Sequence, residues 1–450
     1  MSQKREMDML HGPLMGKLIR FALPIAASGL LQQLFNSADT AVVGRFAGSD
    51  SLAAVGGNGS VIFLLIGLFI GLSVGANVLM ASFTGQKDEE GMARTLHTSV
   101  LFAILCGLVL MLVGLLLAPL AHALLGTGEE GSYLRAQAEA YFRIYFLGVP
   151  FILLYNFEAA ILRSKGDTRR PLIVLAVSGV LNVALNLLLV CVFHMAAEGV
   201  AIATVVSNVF NSLALWRMLL REEGGYRLVP RQMRIHGPTL RKIIGIGLPA
   251  GIQSSMFSIS NVIVQSSINA LGASVIAGTT VGLNAEFYSY QVLNGFSQAA
   301  TTFVSQNYAV NNLPRVRKIV RCCLLCGALS TLAVTGLMVF FRDVIISIFT
   351  TDPMVAAIAG DRMLRVGMFQ FLNGMGEILS GSMRGMRRAT IPAIISILSI
   401  CGVRLLWIFF IYPLNPVYEQ LIIAYPLSWL VSFCAMSAAY ILIMRRQLLR

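Results

Sequence analysis

The chain has 450 residues, 56% of them hydrophobic and only 12% charged, with a mean hydropathy of +0.76 and a formal net charge of +13. A soluble protein of this length carries about twice that charged fraction, so the composition argues against a soluble domain and leaves lipid as the simplest cover for the surplus apolar surface. In a soluble protein the positive charge would raise nucleic acid as a partner. In a membrane protein basic residues set orientation, and no nucleic-acid binding is expected.

Taken in chain order, apolar stretches bounded by charged or Gly/Pro-rich turns predict helices near 18–44, 52–82, 95–125, 135–162, 171–194 and 197–220. A second set follows near 241–270, 277–308, 317–349, 356–384, 392–412 and 417–444. Runs this long and this solidly apolar favour helices over barrel strands, because backbone groups in lipid must be satisfied within their own segment. The N-terminal stretch lacks a small-residue cleavage pattern and runs on into a full-length span, so it reads as a retained helix and not a cleavable signal. Of the 34 Lys and Arg, 27 fall at the termini and in the even-numbered loops. Lys4, Lys87, Arg163, Arg231, Arg317, Arg387 and Arg450 represent that set. The bias predicts twelve spans with both termini in the cytoplasm of a multi-pass plasma-membrane (inner-membrane) protein.

The two sets of six repeat each other. RFALPIAASG around Pro24 matches IGIGLPAGIQ around Pro249 at an offset of 225, and GLSVGA (71–76) meets GFSQAA (295–300). LRSKGDTRRP (162–171) meets MRGMRRATIP (383–392). The expected fold is therefore an all-α polytopic membrane protein of about twelve helices in two pseudo-symmetric six-helix lobes around a central cavity. Residues 1–220 form the N-terminal lobe, 221–240 the cytoplasmic linker and 241–450 the C-terminal lobe. An even number of spans per half orients both halves alike, as in parallel-repeat transporters. The seven cysteines lie in or beside apolar runs without metal-site spacing, which predicts small core residues and no disulfide. Pro24 and Pro249 have two readings, a bend within a helix or a helix start.

ADTAVVGRFAG (38–48), LRSKGDTRRP closing the fourth span, FVSQNYAVNNLPRVRKIV (303–320) closing the eighth and LSGSMRGMRRATIP (379–392) after the tenth occur in this order. In these motifs, over nearly its whole length, the chain resembles the MATE family (multidrug and toxic compound extrusion). The resemblance implies two lobes that alternate between faces, exporting small amphipathic, often cationic compounds against inward Na⁺ or H⁺, with no other cofactor. It implies a transporter and not an enzyme, expected to act as a monomer in contact with membrane lipid. The alternative within transport is a flippase or exporter of a lipid-linked or metabolite substrate. That reading asks for a cavity rich in Arg and Lys, of which the spans hold little beyond Arg143 and Arg404.

A carboxylate inside a span is costly and is by default a functional-site candidate. Asp39 shares a helical stripe with Gln32 and Asn36 in the first span. The resemblance makes Asp39 a cation-coupling residue with Na⁺ as a candidate metal, whereas the bland reading makes it a cap at a frayed helix end near Arg45. Ser178, Asn182 and Asn186 stand four apart on one face of the fifth span. Where many family members carry Asp at the last of these positions, this chain has Asn, which ligates Na⁺ through its carbonyl but takes no proton. Interhelical hydrogen bonding is the structural reading of both asparagines. Glu158 is the other N-terminal candidate, either reaching the lobe cavity or pairing with a nearby basic group. In the second half Val264 replaces Asp39 and Phe257 stands where some relatives carry a glutamate, so the lobes differ. Glu286 is a candidate for attracting cationic substrate. Asn373 occupies an aspartate position of some relatives, and Glu377 with Arg404 reads as a buried neutralised pair. Tyr141, Tyr145, Tyr155 and Tyr288 are candidates for an aromatic substrate surface, against plain packing.

Overall fold

The computed structural model describes residues 7–125 and 132–448; Lys4, Arg5 and Arg450 of the orientation count lie outside them. The described residues are helical almost throughout, and no strand occurs among them. The first half comprises α1 (Met15–Phe46), α2 (Gly48–Gln86), α3 (Glu89–Leu125), α4 (Tyr133–Ser164), α5 (Arg169–Asn186) and α6 (Ala197–Leu220). The second holds α7 (Gly237–Asn269), α8 (Ala273–Ala309), α9 (Leu313–Phe340), the short α10 (Arg342–Phe349), α11 (Pro353–Arg365) and α12 (Gln370–Gly385). It closes with α13 (Thr390–Ser396), α14 (Val403–Leu406), α15 (Tyr418–Ile422) and α16 (Ala424–Leu448).

Among the described residues, ten helical segments are long and apolar enough to cross a membrane. The two expected spans outside that count are α8, whose 37 residues are interrupted by Thr, Asn, Gln and Glu side chains, and the stretch 356–384. That stretch is split into α11 and α12 by a 3₁₀ turn at Gly367–Phe369. The apolar run predicts one helix through 317–349, whereas the chain stops α9 at Phe340 and makes a separate α10. α11 then starts afresh on Asp352, whose carboxylate caps the amides of Met354 and Val355 ahead of Pro353. The apolar character points outward: Leu116 and Phe340 are 78% and 79% exposed. Polar side chains such as Asn58, Asn77, Asn186 and Gln253 are buried, the inverse of a water-soluble core. Asn58 and Asn77 each donate across a helix pair, to the carbonyls of Ala138 (3.0 Å) and Ala160 (2.8 Å).

The chain divides into two compact units, one formed by Ala27–Gly251 and the other by Asp8–Ala26 with Ile252–Arg450. The two breaks, after residues 26 and 251, are again 225 apart, and each falls two residues after a proline inside a helix. Pro24 and Pro249 are thus interior, not helix starts. Each lacks the amide that would continue the backbone ladder, which makes these the cheapest places for a long helix to serve two units.

In the first unit α4 is packed by α2, α3 and α6; in the second, α8 and α12 are the central elements. The GLSVGA/GFSQAA repeat has a packing origin. Gly71 of α2 receives Gly251 of α7 within the first unit, and Gly295 of α8 receives the Ala22 carbonyl of α1 within the second. A Cβ on Gly295 would stand 2.6 Å from that carbonyl oxygen.

After α6 the chain is strapped to its own unit. Tyr226 hydroxyl bonds to Thr84 and Ser164, and the Val229 and His236 amides donate to His97 Nε2 (3.0 Å) and Thr98 Oγ1 (3.1 Å). Glu222 accepts from Lys165 Nζ at 2.6 Å and pairs with Arg170. Burial alone would push the Glu222 carboxyl up, but Lys165 and Arg170 together outweigh it and hold it below its ordinary value. All seven cysteines are free; Cys323, Cys326 and Cys401 are buried and Cys434 is exposed, so the last is not a core residue.

Candidate functional site

The cluster around Asp39 is built by two helices of the first unit. Gly179 on α5 lacks a side chain where the Phe35 ring of α1 lies, and a Cβ there would run into that ring. One turn beyond Phe35, α1 brings Asp39 to Asn186, whose Nδ2 donates to Asp39 Oδ1. The same Nδ2 reaches Asn182 Oδ1 at 3.3 Å. Asn182 and Asn186 are buried and Asp39 is half-buried. Immediately after Asn186 the α5 hydrogen bonding widens into a π-helical stretch, Leu187–Val192, a local departure that often accompanies functional positions.

The Asn186 Oδ1 atom is buried with no donor. Leaving a buried acceptor unsatisfied costs about 1–3 kcal/mol. The Asp39 and Asn182 oxygens converge on the Asn186 Nδ2, and carboxylate and amide oxygens are the donor set a hard monovalent cation takes. Among the described residues no ion pair joins Asp39 to Arg45, and Asp39 lies within α1 and not at its end. The capping reading therefore fails.

Tyr141 and Tyr145 of α4 stack at 6.0 Å and lie within Coulombic range of Asp39, so they belong to the same region. The remaining stripe residues do not join it. Gln32 and Asn36 are exposed, and Ser178 bonds back to the Leu175 carbonyl at 3.0 Å. Tyr155 is buried elsewhere on α4, donating to the Pro171 carbonyl at 3.4 Å, and packs in an apolar cluster. Glu158 neither opens onto a cavity nor pairs with a base: it is 0% exposed and both its oxygens lack a partner.

The second unit corrects the expected Glu377–Arg404 pair. Glu377 accepts from Gln253 and Arg384, each at 3.3 Å, while Arg404 donates to Asn261 Oδ1 at 2.8 Å and Ser428 Oγ at 3.2 Å. The partner of Glu286 is Arg362, at 2.8 and 3.0 Å, and that guanidinium is fully buried. Arg362 and Arg404 both lie over the Tyr425 ring, at 4.8 and 4.3 Å. Glu286 is therefore committed to an internal charge pair and not open to substrate. Asn373 and Glu377 line a narrow crevice elsewhere in the unit with Leu372, Gly376, Ile400, Trp429 and Ser432. Tyr288 is half-buried on α8 and joins neither group. Arg362, Asn261 and Gln253 were missed in the sequence. Arg362 could be counted only as one of seven basic residues outside the orientation set, since nothing in its spacing ties it to Glu286, 76 positions earlier.

Comparison with known proteins matches this architecture. The MatE family model matches residues 24–188 and 249–410, two segments whose starts fall on the repeated prolines. The probable multidrug resistance protein YoeA of Bacillus subtilis is 29% identical over 85% of this chain and 84% of its own. The probable multidrug resistance protein NorM of Thermotoga maritima is 28% identical over 86% and 84%. A solved structure of an outward-facing multidrug resistance MATE family transporter of the MOP superfamily superposes with a TM-score of 0.89 at 20% identity, covering 98% of both chains. The chain belongs to the MATE family of multidrug efflux transporters, which carry solutes across membranes and are not enzymes.

Proposed function

We propose that this chain exports small amphipathic, cationic compounds by antiport, taking a Na⁺ or H⁺ inward at the Asp39–Asn182–Asn186 cluster. The observation that carries this reading is the bond between Asp39 and Asn186 beside the unpartnered Asn186 Oδ1. A cation arriving there competes with the Asn186 N–H for the Asp39 carboxylate and offers the orphaned amide oxygen a partner. Its binding energy then favours a different α1–α5 pairing, which is the differential affinity an alternating-access cycle needs. Exchange of one such ion for one singly charged compound moves no net charge, so its drive is the concentration gradient of the ion; the membrane potential adds about 2.3 kcal/mol per 100 mV only for each further positive charge that enters. Tyr141 and Tyr145 give the same region a stacked aromatic surface suited to a cationic ring system.

In this reading the protein is a monomer in the plasma membrane with both termini cytoplasmic, and 221–240 is the cytoplasmic linker between its two six-helix lobes. The flippase alternative gains nothing from Arg362 and Arg404, since Glu286, Asn261 and Ser428 already occupy them. Efflux of a cationic dye from vesicles, with the H⁺ and Na⁺ gradients collapsed one at a time, tests the proposal. Efflux should stop when one of the two is collapsed; efflux that survives collapse of both overturns it.

A further inference from the structure

Glu158 has no place in the cluster just described, although it is the most deeply buried carboxyl among the described residues of the first unit, and both its oxygens lack a partner. It sits on α4 some 17 residues from Tyr141, about 25 Å along the helix axis. Its level in the unit is fixed by packing. Gly107 of α3 is seated on Pro150 of α4, so eight residues further along the antiparallel pair Ser99 comes level with Glu158. Ser99 Oγ is also buried without a partner. Asn77 of α2 reaches the Ala160 carbonyl at 2.8 Å, at the same height.

The titratable or charged groups on the packed segments do not answer Glu158. On α4 itself, Tyr155 is spent on Pro171, and Arg163 is half-buried more than a turn further on. On α3, His97 is held between the Ala93 carbonyl (2.7 Å) and the Val229 amide. Between residue 51 and Lys87, α2 carries nothing titratable, Arg217 of α6 is exposed, and Tyr226 bonds to Thr84 and Ser164. A lone ionised carboxylate in such a place is prohibitive, whereas the acid form is tolerable. Even the acid leaves its donor and acceptor unmet here, a standing cost that an apolar residue would avoid. Such a cost is recovered only in a second conformation where the group finds water or a partner.

We propose that Glu158 is a second proton-binding site of this transporter, separate from Asp39. It is loaded as the carboxylic acid in the conformation described here and discharges its proton to solvent when α3 and α4 part at the Ser99 level. Its functional part rests on the ion-driven efflux reading above; its chemical part does not. Infrared difference spectra of the purified, lipid-reconstituted protein between neutral and alkaline pH should show the carbonyl band of a protonated carboxylic acid at neutral pH. That band should vanish in Glu158→Gln and in Glu158→Met and persist in Asp39→Asn. Because Glu158 makes no hydrogen bond, both substitutions should leave the melting temperature unchanged or raised. In proteoliposomes Glu158→Gln should lower pH-driven ethidium efflux by about tenfold or more, while Glu158→Asp keeps a measurable part of it. A protonated-acid band indifferent to Glu158→Gln, or ethidium efflux at the wild-type rate in a folded Glu158→Gln protein, overturns the proposal. If instead efflux proves independent of any ion gradient while the Glu158 band behaves as stated, the antiport reading fails and the proton site stands.

Discussion

Replacing Glu286 by Gln should be among the most damaging single changes in the second unit, and more damaging than removing its partner. Arg362 has 0% exposure, and among the described residues its one anionic contact is Glu286, at 2.8 and 3.0 Å. A guanidinium cannot shed its charge, so Glu286→Gln leaves a buried cation with neutral neighbours such as the Tyr425 face and the Tyr418 hydroxyl in place of its carboxylate. Breaking a buried pair from one side in this way costs about 3–5 kcal/mol. For a unit of this size that is a fall in melting temperature of about 10 °C. Arg362→Met instead leaves a carboxyl, which can neutralise itself by taking a proton, so its cost should be smaller. The double substitution Glu286→Gln/Arg362→Met should recover most of what Glu286→Gln loses, since neither charge then remains. Thermal unfolding of the three variants in one detergent, followed by intrinsic fluorescence, reads the cycle. Equal losses in the two single variants that add in the double would refute the reasoning, because they would mean that the two side chains are stabilised independently.

Three further outcomes follow from the packing and the strap. Gly295→Ala should destabilise by about 1–3 kcal/mol, because its Cβ meets the Ala22 carbonyl, whereas Gly336→Ala, with nothing within 4 Å, should be near neutral in the same melting assay. The stability that Glu222 contributes is fully present above its ordinary value of 4.5 and is lost as pH falls through its depressed value in the folded chain. Proteolysis within 221–236 should therefore speed up below about pH 4.5 in the wild type, and Glu222→Gln should show that faster cleavage already at neutral pH. Gly179→Leu should displace Phe35 and separate Asp39 from Asn186, abolishing ion-dependent efflux while the protein still inserts in the membrane; wild-type efflux would show that this contact does not position the site.

Much of the fold was legible because lipid imposes simple rules on sequence. Leu-rich runs bounded by Arg and Lys, and a Leu-Pro pair recurring 225 residues on, give the spans and the duplication directly. The break between α11 and α12 was not legible, since Gly367 sits among apolar residues that continue the helical pattern across it. The Asp39–Asn186 partnership lay within reach because an acid in one span and an Asn stripe in another are each conspicuous in lipid. The acid–base pairing of the second unit was not. Glu377 and Arg404 are separated by 27 positions, yet the first is held by Gln253 and Arg384 and the second by Asn261 and Ser428. Which helix faces which is set by small residues at contact points such as Gly179 and Gly295, and a single sequence does not reveal their partners.

Simultaneous recording of dye efflux and cation uptake in proteoliposomes carrying Asp39→Asn bears most directly on how this transporter is energised. With its carboxylate replaced by an amide of the same shape, the protein should bind dye as before, lose both fluxes together and keep its melting temperature within a few degrees. Ion-driven dye efflux at the wild-type rate in that variant would contradict the account.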